Sequence, residues 1–440
     1  MVPGVTRPNF LVIMTDQMRA DHMGCSWPAW RGGGPTIRTP NLDRLAAEGI
    51  RFDRAYVSNP LCMPARSTLL TGLTPRGHGV RTNGIDLDPR LPTLPGALAE
   101  AGYLTHSVGK IHARVYSRPK GIDPATLNPA EFPECQWMWD QGRISRLPLP
   151  YYGFQSADFT GGHTFWMWGD YVNWLNERHP GAFRLLFSEA GEKPASGAEQ
   201  SWKMAIPPEL HYTPWVADRS IDFLERAERE GKPFYLSVSF PDPHHPFAVP
   251  DPWFSMYDRR TDPMPVRREG ELQSLAAHFM TIFSERLQMS GRGGPTKMTD
   301  GQVREIIAIT YGMVSFMDRE IGRILEALSS TGLEKETVVV FTSDHGDMLG
   351  DHWMINKGPF HLDGLLKVPF IWKWPGRFPP GRATGALVSQ LDFVPTVLDL
   401  AGLPQPEFGP PPGGKPEAER QLEALAGRSF FPLLNGEEDE

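Results

Sequence analysis

An α/β fold built on a large, mostly parallel sheet is what this sequence predicts, and three observations predict it. Apolar runs of strand length, Asn9–Thr15, Pro233–Phe240 and Thr337–Thr342, read as buried strands, the pattern of parallel sheets, and Tyr103–Val108 reads as a further strand. Stretches with a helical apolar stripe lie between them. Each run also stops at a turn rich in Asp, His or Lys, and ligands of open α/β sheets gather at the carboxyl ends of strands.

Taken in order, the first run ends at Asp16-Gln17, which makes both residues candidate metal ligands. Thr39-Pro40-Asn41 opens a short helix with Leu42, Leu45 and Ala46 on one face, and Gly49 stands where an αL cap belongs. An extended stretch, 50–57, then delivers the chain to Ser58–Gly72. There Cys62 is followed by Pro64, placed at the first helical position, and by Arg66 one turn on. A sulfur at a helix entry lies where free N–H groups and the dipole favour an anion.

A helix over 94–101 is closed by Gly102, and the strand after it runs into Gly109-Lys110-Ile111-His112. Two residues apart at a strand exit, Lys110 and His112 point the same way and can reach one oxyanion. From 113 to 209 periodicity gives way to Pro, Gly and aromatics, including Trp137, Trp139, Tyr151, Tyr152, Trp166, Trp168 and Trp174. This is an insertion expected to cap the site and shape its pocket, with a wall suited to an aryl group, a sugar face or a quaternary ammonium. A helix over 215–230 ends at Gly231, and the next strand leads to Pro241-Asp242-Pro243-His244-His245-Pro246. An imidazole just past a strand end is placed to protonate a leaving oxygen, and His244 and His245 both stand there.

A second insertion covers 248–298. Thr299 to Gln302 forms a capping box for a long structural helix ended by Gly332. The run to Thr342 ends in Ser343-Asp344-His345-Gly346-Asp347, a second pair of candidate metal ligands. Strands over 368–372 and 386–389 and a helix from Asp392 to about Ala401 follow, and 403–440 is a Pro/Gly/acidic tail. We read one main domain over 1–402.

Lys+Arg 44 against Asp+Glu 52 gives a net charge of −8, which excludes a nucleic-acid partner as the default and makes any anion site local. Three cysteines, with no zinc or disulfide spacing, favour a reducing compartment. With no leader pattern and no apolar run of membrane length, the expectation is a soluble, cytoplasmic protein without a membrane partner.

The motifs in this order resemble one family. Cys62-x-Pro64-x-Arg66 with Thr71-Gly72, the Gly-Lys-x-His element at 109–112, His244-x-Pro246, the run Ser343 to His352, and Asn356-Lys357-Gly358 are similar to type I sulfatases of the alkaline phosphatase-like superfamily, close to bacterial arylsulfatases and phosphonate monoester hydrolases. The resemblance implies an α/β/α sandwich whose small C-terminal subdomain is short or missing here. It implies that residues 1–402 are the catalytic domain and that Cys62 is converted to formylglycine by a formylglycine-generating enzyme. One divalent cation would be held by Asp16, Gln17, Asp344, His345 and residue 62, with Ca²⁺ first and Mn²⁺ or Mg²⁺ next.

In the reaction so implied, one hydroxyl of the hydrated aldehyde attacks sulfur while His244 protonates the departing alcohol. Arg66, Lys110 and Lys357 bear oxyanion charge, and His112 helps the second hydroxyl expel sulfate. His352, His361 and Asp347 are assigned supporting or surface places. The expected activity is hydrolysis of a small-molecule or carbohydrate sulfate ester. Asp-Gln and Asp-His also resemble the phosphonate monoester and phosphodiester subgroup, which is the alternative, while Lys110 and His112 tilt the reading to sulfate. An inactive anion-binding homologue is the third. The residues leave the oligomeric state open.

Overall fold

In the computed structural model the described residues are 7–27, 36–119, 121–123, 126–259, 264–271, 298–406 and 425–437. Most of the second insertion's far half and most of the tail fall outside them. Eleven strands are described: β1 Asn9–Thr15, β2 Ile50–Tyr56, β3 Leu104–Gly109, β4 Ser156–His163, β5 Trp166–Gly169, β6 Ser201–Lys203, β7 Phe234–Phe240, β8 Phe247–Val249, β9 Thr337–Ser343, β10 Phe370–Lys373 and β11 Arg382–Ser389. Nine form one sheet in the order β11-β2-β10-β9-β1-β7-β3-β4-β5. All its pairings are parallel except those of β10 with β2 and β9, and of β4 with β5.

The central strands are apolar on both faces because both faces are covered. Leu11 and Ile13 of β1, Leu236 and Val238 of β7, and Val339 and Phe341 of β9 join one core. Helices α1 (Pro40–Ala47), α4 (Asp170–Arg178), α5 (Tyr212–Glu230) and α6 (Asp300–Ser330) close it. Phe10, Val12, Tyr235, Val338 and Val340 face the opposite core, closed by α2 (Cys62–Thr71), α3 (Leu94–Glu100) and α7 (Phe393–Leu400). The result is the expected α/β/α sandwich on a mixed, mostly parallel sheet. The Thr299–Gln302 capping box of α6 is formed as the sequence predicts.

Three local readings differ. Gly49 does not adopt the αL conformation. It is a glycine because an added Cβ would stand 2.4 Å from the Trp372 carbonyl oxygen, so the chain passes too close to β10 for a side chain. Helix α2 begins at Cys62, which moves Pro64 to the third helical position, still in the turn whose N–H groups lack helical acceptors. The stretch 113–209 is more than a capping loop, since β4 and β5 extend the main sheet and α4 covers one face. Two glycines in β4 and the short Trp-Met-Trp-Gly of β5 carry little strand propensity of their own. Pairing with β3 and with each other holds them.

Candidate functional site

Register brings the strand tips level. Thr15 of β1 pairs with Ser343 of β9 on one side and Phe240 of β7 on the other, so Asp16 and Asp344 leave the sheet side by side. The Asp344 N–H donates to the Thr15 carbonyl (3.1 Å) and the Asp16 N–H to the Asp242 carbonyl (3.0 Å). At β3, Gly109 turns the chain with φ 92°, and an added Cβ would lie 2.0 Å from the Ser239 carbonyl oxygen. Lys110 is thereby aimed at the same place, its N–H donating to that carbonyl (3.1 Å). The start of α2 sets Cys62 over these tips.

Cys62 Sγ lies 3.8 Å from Asp16 Oδ1, 3.2 Å from His345 Nε2 and 2.9 Å from Lys357 Nζ. Asp16, Cys62, Asp344 and His345 are buried, and their donor atoms lie within 4.8 Å of one another. Arg66 ties the carboxylates together, Nε to Asp344 Oδ2 (2.8 Å) and Nη2 to Asp16 Oδ2 (3.2 Å), while Nη1 donates to the Lys110 carbonyl and Ser239 Oγ, both at 2.9 Å. Lys110 Nζ donates to Asp16 Oδ2 and to His163 Nε2, the latter at 3.0 Å. Three fixed cations, Arg66, Lys110 and Lys357, thus face two carboxylates. The surplus charge favours an anion.

Protonation follows that balance. Burial works against charge on Asp16, yet Lys110, His244, Lys357 and Arg66 hold its carboxyl well below the usual range. Burial and Asp16 push the Cys62 thiol up, but Lys110, Lys357 and His345 outweigh them and bring it to about 7. His345 is raised: burial opposes its charge, and Asp344 leads the groups favouring it. The donor set suits a cation, which would take the place of that proton among two carboxylates and an imidazole. One further oxygen fits. Gln17 Oε1 is buried and has no protein partner.

The three histidines beyond the cluster stack in a row. His163 and His244 are parallel with centroids 3.6 Å apart, and His245 follows His244 at 4.1 Å. His163 is locked in one tautomer, Nδ1–H donating to the Pro241 carbonyl (3.0 Å) and Nε2 accepting from Lys110. His244 donates Nδ1–H to the His245 carbonyl, which leaves Nε2 for other work, and burial first, then His163 and Lys357, hold its pKa down. All three line a cleft of about 800 Å³ walled by Phe165, Trp166 and Trp202.

Asp16, Gln17, Cys62, Arg66, Lys110, His244, Asp344, His345 and Lys357 lie in or beside this centre, and His112 arrives by a different route. The strand ends at Gly109, and His112 sits at φ 57°, so period-two alternation does not carry it. Its N–H donates to Glu134 Oε2 (2.8 Å), its ring stacks on Tyr116 (3.8 Å) and its Nδ1 is buried without a partner. Of the expected aromatic wall, Trp166 lines the cleft and is 46% exposed, whereas Trp139, Trp168, Tyr151 and Tyr152 are core. Asp347 is buried against Gln17, and His352 pairs with Glu271.

Sequence reasoning missed His163, Glu134 and Tyr116. A histidine two residues after Gly161 at a strand end was the one available signal for His163. For the other two there was none, since irregular chain brings them in.

Fold and site together define a hydrolase of the alkaline phosphatase-like superfamily. The family profile described as Sulfatase matches residues 8–403. An arylsulfatase of Clostridium perfringens is 30% identical over 91% of this chain and 76% of its own length. An N-acetylglucosamine-6-O-sulfatase of Bacteroides thetaiotaomicron is 27% identical over 91% and 69%. The crystal structure of a phosphonate monoester hydrolase of Agrobacterium radiobacter superposes with TM-score 0.73 at 27% identity, covering 99% of this chain and 78% of that one. The chain belongs to the sulfatase family.

Proposed function

We propose that this enzyme cleaves a sulfate monoester to alcohol and sulfate at Cys62, and that the buried meeting of Cys62 with Asp16, Asp344, His345 and three cations carries the reading. Formylglycine at position 62 would supply a nucleophilic oxygen, and a divalent cation held by Asp16, Gln17, Asp344, His345 and residue 62 would supply Lewis acidity. Ca²⁺ is our first choice, with Mn²⁺ and Mg²⁺ next.

The chain's own groups do the rest. Lys110, Lys357 and Arg66 are fixed by buried partners before substrate arrives, so they stabilise developing negative charge without reorganising. His163 holds Lys110 Nζ in place. His244, its Nδ1–H tethered, offers Nε2 to the leaving oxygen at the mouth of the cleft. His112, with Nδ1 unpaired, is assigned the proton transfer that precedes sulfate release.

The aromatic cleft supports a small-molecule or sugar sulfate ester whose alcohol lies against Trp166 and Phe165. Three unbridged thiols support a cytoplasmic location, and among the described residues no helix is long and apolar enough to cross a membrane. Phosphonate monoester or phosphodiester hydrolysis is the second reading, favoured by the Asp-Gln and Asp-His pairs and by the Agrobacterium structure.

A panel of aryl and sugar sulfates, phosphonate monoesters and phosphodiesters, run on purified enzyme, decides between them. Sulfate turnover at least tenfold above the others is the expected outcome, and dominant phosphonate turnover reverses the order. Mass spectrometry of tryptic peptide Ala55–Arg66 tests the modification. Unmodified thiol throughout, with no turnover, leaves an anion-binding protein.

A further inference from the structure

We infer that Asp347, together with His245, is the positioning residue that turns the Gln17 amide so that its oxygen faces the cation site, an inference that rests on the metal reading above. Gln17 is the one member of the proposed donor set whose two ends differ: Oε1 can ligate and Nε2 cannot. In the structure both amide protons are used. Nε2 donates to Asp347 Oδ2 and to His245 Nδ1, the latter at 3.0 Å. A flipped amide would set Oε1 against the Asp347 carboxylate, two acceptors facing each other in a buried place.

Both partners are themselves pinned. Asp347 Oδ1 accepts from the Leu349 N–H (2.8 Å), and the Asp347 carbonyl accepts from Arg19 Nη1 (3.0 Å). The Gln17 N–H donates to Asp344 Oδ1 (3.0 Å), and the residue is held at φ 69°, a conformation costly for a side chain of this size. What remains is Oε1, buried, unpartnered, and attached to a backbone hydrogen-bonded to Asp344. The same contact fixes His245: accepting at Nδ1 places the neutral ring's proton on Nε2.

A carboxylate at position 17 would have equivalent oxygens and need no such orientation, and it would repel Asp347. Gln17 and Asp347 should therefore be coupled. Titration of Ca²⁺, Mn²⁺ and Mg²⁺ in turn into the purified full chain, by calorimetry, reads this directly, with unfolding midpoints in chelator as the fold control. For the tightest ion, Asp347→Asn is expected to lose about 10- to 100-fold in affinity with the chelator midpoint unchanged. Gln17→Asp should lose a similar factor, and Q17D/D347N should recover to within about threefold of wild type.

Binding by D347N within about threefold of wild type overturns the inference. If D347N is recovered unfolded, the Q17D and Q17D/D347N pair carries the test, and equal affinities overturn it. Asp16→Asn separates the two failures. Wild-type binding that D16N abolishes and D347N keeps sinks the positioning role alone. A wild type that binds none of the three ions sinks the metal reading and this inference with it.

Discussion

The tips of β1, β9, β7 and β3 and the edge formed by β4 and β5 meet at one active centre, yet they are built on opposite terms. At the tips each functional side chain has several buried partners: Arg66 makes four hydrogen bonds to four different residues, and Asp16 touches Arg66 and Lys110. At the edge, Phe165 and Trp166 are 39% and 46% exposed and lean on other aromatics. Charge is held where the sheet is deepest, and shape is set where it is shallowest. On the function proposed above, the reaction chemistry is therefore costly to alter and the choice of alcohol is cheap.

Substitution can break or sharpen that contrast. The largest effect is expected from Arg66→Met, which takes a charged partner from each of two buried carboxylates. A loss of about 3–5 kcal/mol in urea unfolding, together with turnover, is the outcome to look for. A loss under about 1 kcal/mol would mean that Arg66 is not what holds the tips. His163→Ala should come next, lowering kcat about 10- to 100-fold with little change in KM, because Lys110 Nζ loses a buried acceptor. A pure KM effect would move His163 to the shape-setting region.

Glu134 holds the loop that follows β3, and its prediction concerns pH. Burial pushes its carboxyl up to about 7, although the Tyr151 hydroxyl and the N–H groups of Arg114, Ala113 and His112 pull it down. The folded state then binds this proton more tightly than the unfolded chain does. Its contribution is present below about pH 4.5 and is lost as pH rises to about 7, at no more than about 1.4 kcal/mol per pH unit. Glu134→Gln should flatten the wild-type slope of unfolding free energy between pH 5 and 7, measured in urea, and an unchanged slope counts against the assignment. The smallest effect is expected from Trp166→Ala, raising KM about three- to tenfold at constant kcat for aromatic or sugar esters. A matching drop in kcat would erase the distinction between the regions.

The same contrast decides what could be read from sequence. Asp16 and Asp344 were legible because each follows an apolar run of strand length, Lys110 because Gly109-Lys110-Ile111-His112 closes a strand, and Cys62 because Pro64, Arg66 and the motifs along the chain stand in step with it. The parallel sheet came from the same runs, and the layered sandwich came with the family resemblance. His163 was not legible, since β4 is a strand only by virtue of its neighbours. The route of His112 was misjudged because a left-handed residue after Gly109 leaves no trace in alternation. Glu134 meets that loop from 22 residues further along the sequence, where side-chain contacts and no local periodicity set its position.

The sheet order carries one more consequence, which concerns synthesis. Asp16 and Cys62 are made early, whereas His345, 283 residues after Cys62, and Lys357 beyond it are made late. At about 5–20 residues per second, the thiol waits on the order of 15–60 s on the growing chain before the residues that enclose it exist. If residue 62 is modified as proposed above, that interval is open to the modifying enzyme. Slower or faster elongation over β7 to β9 would lengthen or shorten it without touching a single atom of the finished site.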